Sequence, residues 1–146
     1  MWKKLLMVFA VVAVSGILVA AEKESKAKCP LSGKAVNPEC TAEHNGGTVS
    51  FCCGNCLAAF KKSPVKHVAK ANLQLAVTGQ AKQAKCPLTG GKAKAGTEVS
   101  VGGVKVKFCC NNCKGKVASA EDKVKLVFND KSFKKGFAVP KKKKEG

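Results

Sequence analysis

Cys29-Pro30-Leu31-Ser32-Gly33, followed by Phe51-Cys52-Cys53-Gly54-Asn55-Cys56, is the stretch that decides the reading of this chain, because both segments occur twice. The first returns as Cys86-Pro87-Leu88-Thr89-Gly90 and the second as Phe108-Cys109-Cys110-Asn111-Asn112-Cys113. The offset is constant without a gap, from 29 to 86, from 52 to 109 and from 56 to 113. Gly46 and Val49 align in the same way with Gly103 and Val106. Eight of the nine cysteines thus belong to two copies of one unit. Four cysteines at identical spacing, twice, mark an internal duplication.

Each copy can be read locally. Pro30 and Gly33 bracket a tight turn, a knuckle whose backbone amides can face a thiolate sulfur. Asn45-Gly46-Gly47 is a turn signal, and Thr48 to Phe51 reads as a short strand after it. In the second copy Glu98–Ser100 and Val104–Phe108 flank Val101-Gly102-Gly103 and predict a fuller hairpin. Leu57 to Lys62 predicts a helix with Leu57 and Phe60 on one face, and Pro64 starts another through Val65, Val68, Ala69 and Leu73. Gly115 weakens the corresponding helix of the second copy, where Val124, Leu126, Val127 and Phe128 supply apolar contacts. The expected fold is a small α+β chain of two treble-clef-like zinc-finger modules, each built as knuckle, β-hairpin and helix. Such a module brings four sulfurs near one point without requiring a hydrophobic core. The modules span residues 26–77 and 84–139, with Thr78 to Lys85 read as a polar linker.

The flanks have different characters. Lys3 and Lys4 precede the uncharged, mostly apolar run Leu5 to Ala21, and Val19-Ala20-Ala21 offers small residues before the charged Glu22. Residues 1–21 are therefore expected to be a secretory signal peptide, which places the protein outside the cytosol, periplasmic or secreted. Residues 140–146 read as a disordered Lys-rich tail.

Composition narrows the function. The chain has 146 residues, 27 basic side chains against nine acidic ones, and a formal net charge of +18. All the basic residues are lysine. Without arginine, the preferred reader of base edges and phosphates, and with an export signal, nucleic acid is not the expected partner. A lysine surface outside the cytosol fits an anionic cell-envelope polymer or an acidic protein better. Seven phenylalanines, one tryptophan and no tyrosine make a thin core, so staples by metal or disulfide are expected. The chain is too short for a Rossmann or barrel enzyme. No carboxylate pair, phosphate loop or histidine constellation supports catalysis, and the protein is read as a non-enzyme.

Three chemistries compete for the cysteines. Thiolates capture soft ions, and Cys53-x-x-Cys56 has zinc-knuckle spacing. Cys56, close to a helix N-terminus and many lysines, is expected to have a lowered thiol pKa. Disulfide stapling is common in exported proteins, although an odd number of cysteines and the adjacency of Cys52 and Cys53 suit it poorly. Thiol–disulfide exchange lacks a thioredoxin-like βαβ setting. Metal capture is the leading reading, with Cys29, Cys52, Cys53, Cys56, Cys86, Cys109, Cys110 and Cys113 as candidate ligands and Zn²⁺ or Cu⁺ as the ion.

The run from Cys29 through Gly46-Gly47-Thr48-Val49-Ser50-Phe51-Cys52-Cys53-Gly54-Asn55-Cys56 to Pro64-Val65-Lys66-His67 resembles the YHS and TRASH group of small metal-binding modules. The resemblance implies Cys29, Cys52 and Cys56 as ligands in the first copy and Cys86, Cys109 and Cys113 in the second. It also implies binding or sensing of heavy metals, including copper. Cys29 stands where YHS modules often carry aspartate and Ser32 where they carry cysteine. His67 replaces a usual tyrosine and is read as packing, Val124 takes that place in the second copy, and Cys53 and Cys110 are additional to the pattern. Cys40 and His44 have no counterparts, since Thr97 and Val101 stand there; they are read as an incidental free cysteine and a surface histidine in a loop-like stretch. The expected function is sequestration, storage or delivery of copper, zinc or a heavy metal. The alternative is a structural envelope protein, stapled by disulfides or zinc, whose lysines dock on anionic polymer.

Overall fold

Each copy opens on the predicted knuckle, and the two make the same pair of turn hydrogen bonds. In the computed structural model, which describes residues 27–140, the Cys29 amide donates to Lys34 O at 2.8 Å and the Gly33 amide to Cys29 O at 2.8 Å. Cys86 and Gly90 repeat the pattern, donating to Gly91 O and Cys86 O, both at 2.8 Å. The expected signal peptide and residues 141–146 of the expected tail lie outside the described residues.

A hairpin follows each knuckle. In the first copy β1 (Asn37–His44) pairs antiparallel with β2 (Gly47–Phe51), with a register shift between Asn37 and Thr41. Asn45 and Gly46 have φ of 49° and 83°, the two successive left-handed residues of a type I′ turn, which matches strand twist. A short strand, β3 (Lys82–Gln83), precedes the second knuckle. In the second hairpin β4 (Val99–Val101) pairs with β5 (Val104–Val106) around Gly102 and Gly103, again both left-handed. This hairpin is the shorter of the two, contrary to the sequence expectation. Thr97 sits where the longer strand of copy one would continue, and its hydroxyl takes the Phe108 amide at 3.0 Å in place of a ladder bond.

The helices follow. α1 (Gly54–Lys62) ends at Ser63 because Pro64 restrains the residue before it, and Pro64 then begins α2 (Pro64–Val77). Copy two has α3 (Asn111–Ala118), and its counterpart of α2 is split into α4 (Lys123–Phe128) and α5 (Asp130–Gly136). The split falls at Asn129, whose carboxamide oxygen caps α5 by accepting from the Ser132 amide at 2.9 Å. Asp122 caps α4 through the Lys125 amide at 2.8 Å. Such caps satisfy amides that a short helix leaves unpaired.

The copies share one core, whereas the sequence reads as two separate modules that need none to gather their sulfurs. All six phenylalanines of the described region are buried, with Val49, Leu75, Val106 and Val127 among them in a single apolar cluster. α2 packs on α4 across the copies. Thr78 to Lys85 is no free linker: Ala81 is buried, and β3 pairs with β6 (Phe137–Ala138) at the end of copy two. There the Gly136 carbonyl accepts from the Ala84 and Lys85 amides at 2.8 and 3.0 Å. A Cβ at Gly136 would stand 2.6 Å from Pro87 Cα, so only glycine lets this strand lie against the second knuckle. No helix among the described residues is long and apolar enough to cross a membrane.

Candidate metal centre

The hairpin-to-helix junction carries its cysteines back to the knuckle. Cys52 follows the last residue of β2, Cys53 is the extended residue before α1, and Cys56 lies in the first turn of that helix. The sulfurs of Cys29, Cys52 and Cys56 all lie within 4.8 Å of one another, and so do those of Cys86, Cys109 and Cys113. Cys52 and Cys56 sulfurs are 3.6 Å apart, and those of Cys109 and Cys113 3.7 Å. Four sulfurs bound tetrahedrally at about 2.3 Å from Zn²⁺ are separated by about 3.8 Å, so these spacings fit one soft ion per trio. They are far from the roughly 2.05 Å of a disulfide, and none of the nine cysteines is in a disulfide.

Of the eight candidate ligands, six form the two trios. Cys53 and Cys110 stand just outside, each with its sulfur 3.7 Å from that of the preceding cysteine. The expected four-sulfur cluster is thus three sulfurs with a fourth adjacent.

Hydroxyls complete the arrangement. Ser32 Oγ is 3.1 Å from Cys52 Sγ, and Thr89 Oγ1 is 3.2 Å from Cys109 Sγ. The knuckle therefore presents a sulfur at one end and a hydroxyl at the other, the repeated Ser/Thr being a sequence signal that could have been read as functional.

The negative charge of each trio settles on the opening cysteine. Burial pushes the Cys29 thiol up, but the Ser32 hydroxyl and the amides of Ser32, Cys52 and Leu31 outweigh it and bring the thiol down to about 6. Cys86, buried in the same way and held by Thr89 and equivalent amides, comes down to about 7. Cys56 is pushed up to about 12 by its contact with Cys52, by desolvation, and by Cys53 and the Cys29 charge. Cys113 is likewise pushed up to about 12, first by burial and then by its sulfur neighbours and Cys86. This corrects the expectation that Cys56 carries the lowered thiol: three sulfurs in contact hold the first charge where most amides converge, and that is the knuckle.

Three glutamines pin the hairpins, two of them also tying knuckle to hairpin, and no motif announced them. Buried Gln74, on α2, donates to Lys28 O at 2.9 Å and Ser50 O at 2.7 Å, and accepts from the Ser50 amide at 2.7 Å. Gln80 does the same for Thr48, accepting from its amide at 2.7 Å and donating to its carbonyl at 2.8 Å. In copy two Gln83 of β3 donates to the carbonyls of Lys85 and Lys107 and accepts from the Lys107 amide at 2.9 Å. Lys85 and Lys107 are the duplicates of Lys28 and Ser50. Yet the position duplicating Gln74 is Lys131, and the one from which Gln83 would derive is Lys26. The same clamp is made twice from unrelated points of the chain, invisible to a repeat comparison.

Cys40 and His44 lie on β1, in a strand rather than a loop, and join neither trio. Cys40 packs against the core. His44 is half-buried instead of superficial: its Nε2 is 3.1 Å from Asn72 Oδ1, and Phe60 meets its ring edge-on. Burial lowers its pKa, against a raising contribution from Asn72 and Asp130. Asn45 links Asn72 to Asp130 of copy two, so this network ties the copies together. His67 is partly buried on α2, away from both trios. Comparison of the chain with protein-family models, with characterised proteins and with solved structures returns no match.

Proposed function

We propose that this is an exported, non-catalytic protein that binds soft metal ions, Zn²⁺, Cu⁺ or a heavy metal, through thiolates, for sequestration, storage or delivery. The observation that carries the reading is the pair of cysteine trios, each with its sulfurs at separations suited to one ion and each anchored on a buried thiol with a lowered pKa. Thiolate sulfur selects soft ions over Mg²⁺ or Ca²⁺. Hydroxyls and amides directed at the sulfurs supply the outer hydrogen bonds that a metal–thiolate centre requires. In this reading the copies are YHS/TRASH-like, treble-clef-like modules, the six trio cysteines are the ligands, and the apolar N-terminus is the export signal.

The test is metal content and free-thiol count on the mature protein, isolated natively and again after reduction with Zn²⁺ or Cu⁺ supplied. One or two tightly held ions are expected, with Cys29→Ser and Cys86→Ser each removing one. Absence of bound metal after reduction, with most thiols in stable disulfides as isolated, would sink the reading and leave a stapled envelope protein with a lysine surface.

A further inference from the structure

Three sulfurs leave one position of a four-coordinate site unfilled, and in both copies a further cysteine stands next to the trio. Cys53 and Cys110 have their sulfurs 3.7 Å from those of Cys52 and Cys109, close to the edge of about 3.8 Å expected for tetrahedral zinc thiolate. Their backbones are fixed. Both are extended, with φ, ψ of −162°, 166° and −158°, 167°, and their carbonyls accept from Leu57 and Lys114 amides at 3.2 and 3.1 Å. Both side chains are only partly buried, and neither caps its helix. The recruitment proposed below asks for side-chain rotation at Cys53 and Cys110, with the backbone left as it is. The knuckle hydroxyls, which accept the Lys34 amide at 3.3 Å and the Gly91 amide at 3.2 Å, are poor competitors because a neutral hydroxyl is a hard, weak ligand for a soft ion beside a thiolate.

We propose that Cys53 and Cys110 are recruitable fourth ligands, giving each copy a three-sulfur state for ions content with trigonal thiolate coordination, such as Cu⁺, and a four-sulfur state for ions that require a tetrahedron, such as Zn²⁺. The inference rests on the metal-binding reading and adds the rule by which a copy accommodates both ions. Recruitment takes one more thiol as thiolate and releases its proton to water. Three thiolates around Cu⁺ and four around Zn²⁺ carry the same net charge of minus two, so the second state places no added charge on the surrounding amides.

The experiment compares the reduced mature protein with its Cys53→Ala/Cys110→Ala variant, with Zn²⁺ and Cu⁺ as probes in chelator competition and X-ray absorption counting sulfurs around the metal. Four sulfurs around Zn²⁺ are expected in the unsubstituted protein, against three and a lighter atom in the variant. Zn²⁺ affinity should fall at least about tenfold, a lower bound set by what losing an outer-shell partner costs. Cu⁺ affinity should be unchanged, while Cys29→Ser should weaken both ions. An unaltered Zn²⁺ affinity and sulfur count would overturn the proposal while metal binding stands, and so would a parallel loss of Cu⁺ affinity. If the unsubstituted protein takes up neither ion, the underlying reading fails as well. The unfolding curve of the metal-free variant separates a folding defect from a lost ligand.

Discussion

Replacing Gln74 with leucine keeps most of its volume in the α2 core face and removes only its amide. Three hydrogen bonds disappear, to Lys28 O, Ser50 O and the Ser50 amide, all between 2.7 and 2.9 Å. They hold the outer edge of β2 and the start of the first knuckle, and an apolar side chain would cover the same backbone groups without pairing them. A buried backbone group left unpaired costs about 1–3 kcal/mol. Water can reach some of the opened edge, so the sum is taken as about 3 kcal/mol for the three groups. For a domain of this size that corresponds to a fall in Tm of about 10 °C. The assay is thermal and urea unfolding of the reduced, metal-free protein, followed by metal titration resolving the two copies. The loss should concentrate in copy one, since the clamp of copy two comes from Gln83, and metal affinity should drop at the Cys29 trio with the Cys86 trio retained. A Gln74→Leu protein with unchanged Tm and urea midpoint would refute the view that these bonds hold knuckle to hairpin. A loss of metal from both copies alike would refute the independence of the two clamps.

The protonation pattern makes a second prediction for the metal-free, reduced protein. Cys29 and Cys86 have folded values near 6 and 7 against an ordinary 9.0, so the unfolded chain binds more protons in that interval and stability rises with pH up to about 9. Cys56 and Cys113, pushed up to about 12, reverse the sign above 9, so stability should pass through a maximum near that pH, measurable as urea midpoints across the range. A third concerns Gly136→Ala: the added Cβ meets Pro87 at 2.6 Å on backbone that cannot swing away, which should cost about 1–3 kcal/mol and weaken metal uptake by copy two before copy one. Equal stability of the Gly136→Ala protein in urea would show that β6 does not brace the second knuckle.

That the cysteines gather at one point in each copy was legible in the sequence because the turns that carry them are local and repeated, while which three of the four meet was not. A proline and a glycine bracket the knuckle, an Asn-Gly or Gly-Gly pair turns each hairpin, and a helix begins after each double cysteine. All are short-range preferences, and duplication at constant offset showed that they act as a set. The lengths of the hairpins were misjudged because alternating valines report strand propensity, while Thr97 ends the second ladder with a side-chain hydroxyl. The charge on the cysteines was misassigned for a related reason: a helix N-terminus is visible in sequence, but contact with two other sulfurs is not.

What the sequence alone determined is therefore the repeat, the eight cysteines that belong to it and the turns that carry them, since the turns follow from chain stereochemistry over a few residues and the repeat from constant spacing. The tertiary structure decided how the copies are joined and held. Asn72 reaches Phe128 O at 2.8 Å, Gln74 reaches back to Lys28, and β6 returns to β3. These contacts pair residues that no period or motif relates. A buried backbone group requires a partner but does not specify which part of the chain supplies it, and here Gln74 and Gln83 meet the same need from opposite sides of the duplication.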